Sequence, residues 1–146
     1  MPVIRITKQF RFEAAHALKD YDGPCKNIHG HSYELSVTVT GLPVTDPGSP
    51  KKGMVMDFSD LKSIVKKNII DVFDHSLILS SDYLPEELNL LRRSFPNLLI
   101  VAYQPTTENM LMDFAERIRK LLPENVSLCS LKLRETPNSF AEWFAE

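Results

Sequence analysis

Three of the four histidines in the chain fall where two predicted strands can bring them together. His29 and His31 stand two residues apart in an alternating polar and apolar stretch, so their imidazoles lie on one face of a strand. His16 lies on the apolar face of an earlier predicted strand, and antiparallel pairing of the two strands would place it beside the other two. Three neutral imidazoles suit zinc (Zn2+), and an open fourth position is typical of a catalytic site. We therefore predict a zinc site; the alternative is three core histidines bonded to backbone.

Cys25 lies in the loop ahead of His29, close to the predicted metal. A nearby cation favours the thiolate, which acts as a base or a nucleophile. A closed structural site with Cys25 as a fourth zinc ligand is also chemically reasonable, and the sequence leaves both interpretations open. The second cysteine, Cys129, lies in an apolar run and is predicted to be a small core residue.

The remaining histidine, His75, follows Asp74 at the end of a predicted helix. A carboxylate beside an imidazole can fix its tautomer and raise its basicity, which makes the pair a candidate proton relay. The alternative is a histidine that serves as a favourable cation at the helix C-terminus.

Two glutamates are further candidates for binding. Glu135 continues the apolar row of a predicted strand, so it faces inward, and a buried carboxylate needs a partner such as the N–H groups of a heterocycle. A strand-end glutamate that turns to solvent is the alternative. Glu108 lies in the first turn of a predicted helix, where an acidic side chain complements the helix dipole.

The helices and strands that must position these residues are predicted from the periodicity of apolar residues and from helix-capping residues. Two long helices are predicted, one that begins at a cap on Asp57 or Ser59 and ends near His75, and one that is capped by Thr106 or Thr107. Alternating or apolar runs predict strands over residues 4–16, 29–40, 98–103 and 126–135, with a short helix over 85–93. This pattern predicts an α+β fold, a four-stranded antiparallel sheet with two helices on one face. Its open edges favour assembly with other subunits.

Composition limits the class of protein. The 146 residues suit a single domain over 1–146, and a formal net charge of −2 argues against nucleic-acid or polybasic membrane binding. No apolar run is long enough to span a bilayer, and the first ten residues do not look like a signal peptide. A cytoplasmic protein is expected.

Taken together, the motifs resemble one family, the 6-pyruvoyltetrahydropterin synthases and their bacterial relatives, the 6-carboxytetrahydropterin synthases of queuosine biosynthesis. The stretches that carry the resemblance are Phe12-Glu13-Ala14-Ala15-His16, Cys25-x-x-x-His29-Gly30-His31, Val55-Met56-Asp57-Phe58 with Leu61-Lys62, Asp74-His75, Pro105-Thr106-Thr107-Glu108-Asn109 and Leu133-Arg134-Glu135-Thr136.

The resemblance implies a tunnelling fold, assembled into a trimeric or hexameric barrel. It implies zinc on the three histidines, a proton-transfer role for Cys25 and a relay by Asp74 and His75. It also implies that Glu135 anchors the pterin and that Thr107 and Glu108 lie in a segment that helps hold it.

The spacing of three residues between Cys25 and His29 is similar to the carboxy-forming branch. That branch implies a zinc lyase that converts 7,8-dihydroneopterin triphosphate to 6-carboxy-5,6,7,8-tetrahydropterin, with release of triphosphate and acetaldehyde. The alternatives are elimination of triphosphate alone, to the pyruvoyl product, and a non-catalytic domain with a closed site of one cysteine and three histidines. Residues 80–101 match no motif of the family.

Overall fold

The computed structural model describes residues 3–146. Its strands are β1 (Ile4–His16), β2 (His29–Gly41), β3 (Ser76–Ser80), β4 (Leu98–Val101), β5 (Val126–Thr136) and β6 (Ser139–Phe144). Its helices are α1 (Phe58–Val65), α2 (Asp71–Phe73), α3 (Pro85–Ser94) and α4 (Thr107–Arg119), with a short 3-10 turn at Pro24–Lys26 and a π-helical turn at Lys66–Ile70 between α1 and α2. Within the described residues, no helix is long and apolar enough to cross a membrane.

The strands form one mixed sheet of six strands in the order β4-β3-β1-β2-β5-β6. Strands β1, β2 and β5 pair antiparallel, as predicted, and β6, which the sequence analysis does not predict, pairs antiparallel with β5. The prediction of only four antiparallel strands is wrong, because β3 pairs parallel with both β1 and β4. Parallel neighbours need a crossover connection, and α3 supplies it between β3 and β4. Residues 80–101 thus form a helix and a strand that extend the sheet.

The two long helical segments cover one face of the sheet, as predicted. Asp57 caps α1 by accepting a hydrogen bond from the backbone N–H of Ser59, and Thr106 caps α4 by accepting one from Asn109. Aromatic rings join the sheet to the helices: Phe12 of β1 lies at centroid distances of 6.3 Å from Phe73 of α2 and 6.1 Å from Phe114 of α4. The opposite face is polar along β1, β2 and β5, whereas at β3 and β4 it carries a second apolar cluster in which Leu79 and Leu98 pack with Leu88 of α3.

The π-helical turn keeps one apolar row on the core. Leu61, Val65, Ile69 and Phe73 recur every four residues and are fully buried. An α-helix repeats every 3.6 residues, so a strict spacing of four would drift around its surface, and the wider π turn absorbs the drift. Arg117 of α4 donates to the carbonyl of Asn68 within this turn at 3.3 Å. After α2 the chain reaches Asp74 and His75, and both residues are hydrogen-bonded to the backbone of Glu13 near the end of β1.

A β-bulge in β5 overturns one prediction. Thr38 pairs with Ser130 and Val39 pairs with Leu128, so Cys129 is an extra residue in the ladder. Because the bulge shifts the alternation by one residue, Leu128 takes the core position and Cys129 is only partly buried. The expectation of a core Cys129 is wrong for this reason.

Candidate metal centre

The register of β1 and β2 brings the three histidines together. His16 pairs directly with His29, and His31 pairs with Ala14 one step along the same face. One ligand atom from each histidine and a carboxylate oxygen of Glu135 all lie within 4.8 Å of one another. We call these four residues the metal cluster.

Backbone carbonyls set the tautomers of two of the imidazoles. The Nδ1 atom of His16 lies 2.7 Å from the carbonyl oxygen of Pro105, and Nδ1 of His29 lies 2.8 Å from that of Asn27. A carbonyl can only accept, so both Nδ1 atoms carry the proton and both Nε2 atoms of the neutral rings are free to bind a metal. These two Nε2 atoms face each other at 3.1 Å. A cation between them would replace a repulsion of lone pairs with two ligand bonds.

The third imidazole is also ready to bind. The Nε2 atom of His31 is buried and has no hydrogen-bond partner among the described residues, although it lies 2.9 Å from Glu135 Oε1. Burial is the main cause that lowers the pKa of His31 below its usual value, so the ring is neutral at neutral pH. Three neutral nitrogens, one of them a buried orphan, fit zinc.

Glu135 closes the cluster. Its Oε1 atom lies 3.4 Å from His16 Nε2, and its Oε2 atom accepts a hydrogen bond of 3.2 Å from the hydroxyl of Thr107. A hydrogen bond with the His16 ring is the main cause that holds the pKa of Glu135 below its usual value, against the effect of burial, so the carboxylate is ionised. The ring donates this bond from Nε2 only while a proton is there, and a bound metal would take the place of that proton. Sequence reasoning placed this glutamate with a heterocycle and missed its membership of the cluster. The pairing of β2 with β5 is the signal that could have placed it. Leu35 pairs with Leu133, and Glu135 lies two residues further along the same face.

Asp74 and His75 contact each other, as a relay would require. His75 Nδ1 lies 3.0 Å from Asp74 Oδ2, while Asp74 Oδ1 accepts the backbone N–H of Glu13 at 2.9 Å. That backbone hydrogen bond is the main cause that lowers the pKa of Asp74, and His75 adds to it. His75 adopts a left-handed backbone conformation, with φ at 58°. His75 and His31 line the same open cleft of about 430 Å³.

Cys25 and Glu108 lie outside the metal cluster. Cys25 is half-buried in the 3-10 turn, and its carbonyl accepts the N–H of Leu18 at 2.9 Å, which closes the loop between β1 and β2. Glu108 is exposed in the first turn of α4. The fourth member of the cluster is thus Glu135 and not Cys25, which weighs against the closed site of one cysteine and three histidines.

Comparisons with known proteins show which family the chain is similar to. A family model described as 6-pyruvoyl tetrahydropterin synthase matches residues 5–146. A 6-carboxy-5,6,7,8-tetrahydropterin synthase from Haemophilus influenzae is 39% identical over 143 residues, which cover 97% of this chain and 99% of the relative. A protein of the same name from Rickettsia conorii is 33% identical over 142 residues, or 96% of this chain and 99% of the relative.

The fold also has a solved counterpart. The structure of 6-pyruvoyl tetrahydropterin synthase from Caenorhabditis elegans matches with a TM-score of 0.70 and 25% identity, over 100% of this chain and 98% of that one. This likeness confirms the predicted α+β tunnelling fold, with the correction that the sheet has six strands.

Proposed function

The chain belongs to the 6-pyruvoyl tetrahydropterin synthase family, and we propose that it is a zinc-dependent lyase that forms 6-carboxy-5,6,7,8-tetrahydropterin from 7,8-dihydroneopterin triphosphate. Triphosphate and acetaldehyde are the other products, and residues 1–146 act as one catalytic domain. Relatives at 39% and 33% identity named for this product support the proposal.

The observation that carries the proposal is the cluster of three imidazoles with unprotonated or unpartnered Nε2 atoms. His16, His29 and His31 would hold zinc, which supplies Lewis-acid polarisation of substrate oxygens when bound. The carbonyls of Pro105 and Asn27 hold two of the rings in the tautomer that binding requires.

Proton transfer falls to groups outside the cluster. We assign Cys25 to one side of the substrate side chain and the Asp74–His75 pair to the other. The ionised Asp74 faces Nδ1 of His75 at 3.0 Å, which favours the tautomer with a free Nε2 as the base. His75 is 72% exposed, so this nitrogen is open to a substrate.

The pterin ring is assigned to Glu135, on the side of the cluster where this residue contacts Thr107. Glu135 is ionised and would accept N–H groups of the ring, while the Thr107 hydroxyl orients its second oxygen. Glu108 is assigned to the same binding segment on the basis of its family motif, as an exposed carboxylate one residue beyond Thr107.

Product analysis tests the reaction. The zinc-loaded protein, incubated with 7,8-dihydroneopterin triphosphate, is expected to release acetaldehyde and a product with the mass of 6-carboxy-5,6,7,8-tetrahydropterin. Accumulation of the pyruvoyl product without acetaldehyde would instead assign the chain to the pyruvoyl-forming branch. No consumption of the substrate would contradict both assignments.

Assembly into trimers, or into hexamers made of two trimers, is proposed on the basis of the sheet edges. On its outer side, β1 pairs with β3 only through Ala14–His16, so the outer backbone groups of its first ten residues lie outside the ladder. The outer edge of β6 pairs with no described strand. Such edges invite pairing between copies.

Light scattering is therefore expected to report a mass that is a multiple of three chains. A stable monomer at micromolar concentration with full turnover would contradict this assignment.

A further inference from the structure

The side chain of Gln104 joins two loops of the site by a pair of hydrogen bonds. Its Nε2 atom donates to the carbonyl of Lys19 at 2.8 Å, and its Oε1 atom accepts the backbone N–H of Lys19 at 3.1 Å. A primary amide thus meets a single backbone residue at both its donor and its acceptor. We call this pair of hydrogen bonds between Gln104 and Lys19 the clamp. Lys19 contributes only backbone atoms to it, because its ammonium group binds Asp20.

On one side of the clamp lies the carbonyl that orients His16. The backbone oxygen of Gln104 accepts the side-chain amide of Asn109 at 2.9 Å and the N–H of Thr106 at 2.8 Å. Pro105, held between these anchors, presents its own carbonyl to Nδ1 of His16 at 2.7 Å. The position of the Gln104 backbone therefore determines how His16 aims Nε2 at the metal cluster.

On the other side lies the loop that carries Cys25. Lys19 follows Leu18, and the N–H of Leu18 donates to the carbonyl of Cys25 at 2.9 Å. The clamp on Lys19 and this closing bond are adjacent in the chain. Movement of Lys19 away from Gln104 would loosen the turn on which Cys25 stands.

We infer that Gln104 is a positioning residue that couples the orientation of His16 to the placement of Cys25. The inference rests on the proposed zinc site. Among the described residues Gln104 makes no hydrogen bond with the cluster or with Cys25, and it acts through the carbonyl of Pro105 and the backbone of Lys19. Partners that orient metal ligands typically affect metal affinity by about 10- to 100-fold.

Zinc affinity and amide exchange test the inference without turnover. Gln104→Met keeps the length of the side chain and removes both hydrogen bonds, so zinc affinity, measured by competition with a chelator, is expected to fall about 10-fold. Hydrogen exchange at the Leu18 amide is expected to accelerate by about the same factor, because the turn opens more often. Gln104→Glu keeps the acceptor but replaces the donor with an oxygen that faces the Lys19 carbonyl, so its zinc affinity should fall as well, and this variant serves if Gln104→Met does not fold.

Gln9→Met is the matched control. Gln9 is the other glutamine of the chain and lies exposed on the polar face of β1. The same chemical change there is expected to leave zinc affinity and Leu18 exchange within about twofold of wild type. Unchanged zinc affinity in the folded Gln104 variants, beside a wild type that binds zinc, would overturn this inference alone. A wild type that binds no zinc would overturn the proposed function with it.

Discussion

Replacement of Cys25 by alanine should slow turnover by about 100- to 10,000-fold while zinc stays bound, since this is the range for a positioned proton-transfer group. The reason zinc should stay is geometric: the four residues that lie within 4.8 Å of one another are His16, His29, His31 and Glu135, and Cys25 is not one of them. Turnover and zinc content are to be measured on the same preparation, at equal zinc loading.

Cys129→Ala provides the matched control for this experiment. Cys129 occupies the β-bulge of β5 and is partly buried, so its truncation should cost some stability and leave turnover close to wild type. Wild-type turnover in Cys25→Ala, or a loss of turnover explained by lost zinc, would remove Cys25 from proton transfer. The second of these results would restore the closed site of one cysteine and three histidines.

His29→Ala is expected to reduce bound zinc to well below one ion per chain. Its Nε2 atom faces that of His16 at 3.1 Å, and the carbonyl of Asn27 holds its Nδ1 proton on the far side of the ring. Loss of one of three nitrogen ligands leaves a much weaker site. Metal analysis after dialysis against a weak chelator measures the effect.

His75→Ala makes the same chemical change outside the metal cluster. It is expected to keep zinc in full and to lose turnover, because it removes the relay. If His16→Ala, His29→Ala and His31→Ala each retained zinc in full, the three histidines would not be the metal site.

The sequence predicts the three histidines of the metal cluster but not Glu135, and the reason for the success is simple. Side chains two residues apart share a face of a strand, so His29 and His31 converge without any knowledge of the fold. The antiparallel pairing that adds His16 follows from the two strands that flank one loop, and the structure pairs His16 with His29 directly. Helix caps at Asp57 and Thr106 are equally local signals, and both are confirmed.

Features that depend on pairing between distant segments are harder to predict. The strand β3 is a run of five residues directly after a helix, and its parallel partner β4 lies across α3, so no local alternation marks it. The bulge at Cys129 can be recognised only when the residues of β5 that pair with Thr38 and Val39 are known. Glu135 reaches the cluster through the ladder between β2 and β5, and Gln104 reaches Lys19 across 85 residues.

Removal and return of zinc tests the central claim most directly. One preparation is assayed with 7,8-dihydroneopterin triphosphate before chelation, after chelation, and after addition of zinc equal to the number of chains. We predict that consumption of the substrate stops with the loss of zinc and returns with it, together with release of acetaldehyde. Undiminished consumption by the chelated protein, with its zinc content measured as zero, would contradict the claim that His16, His29 and His31 build a catalytic zinc centre.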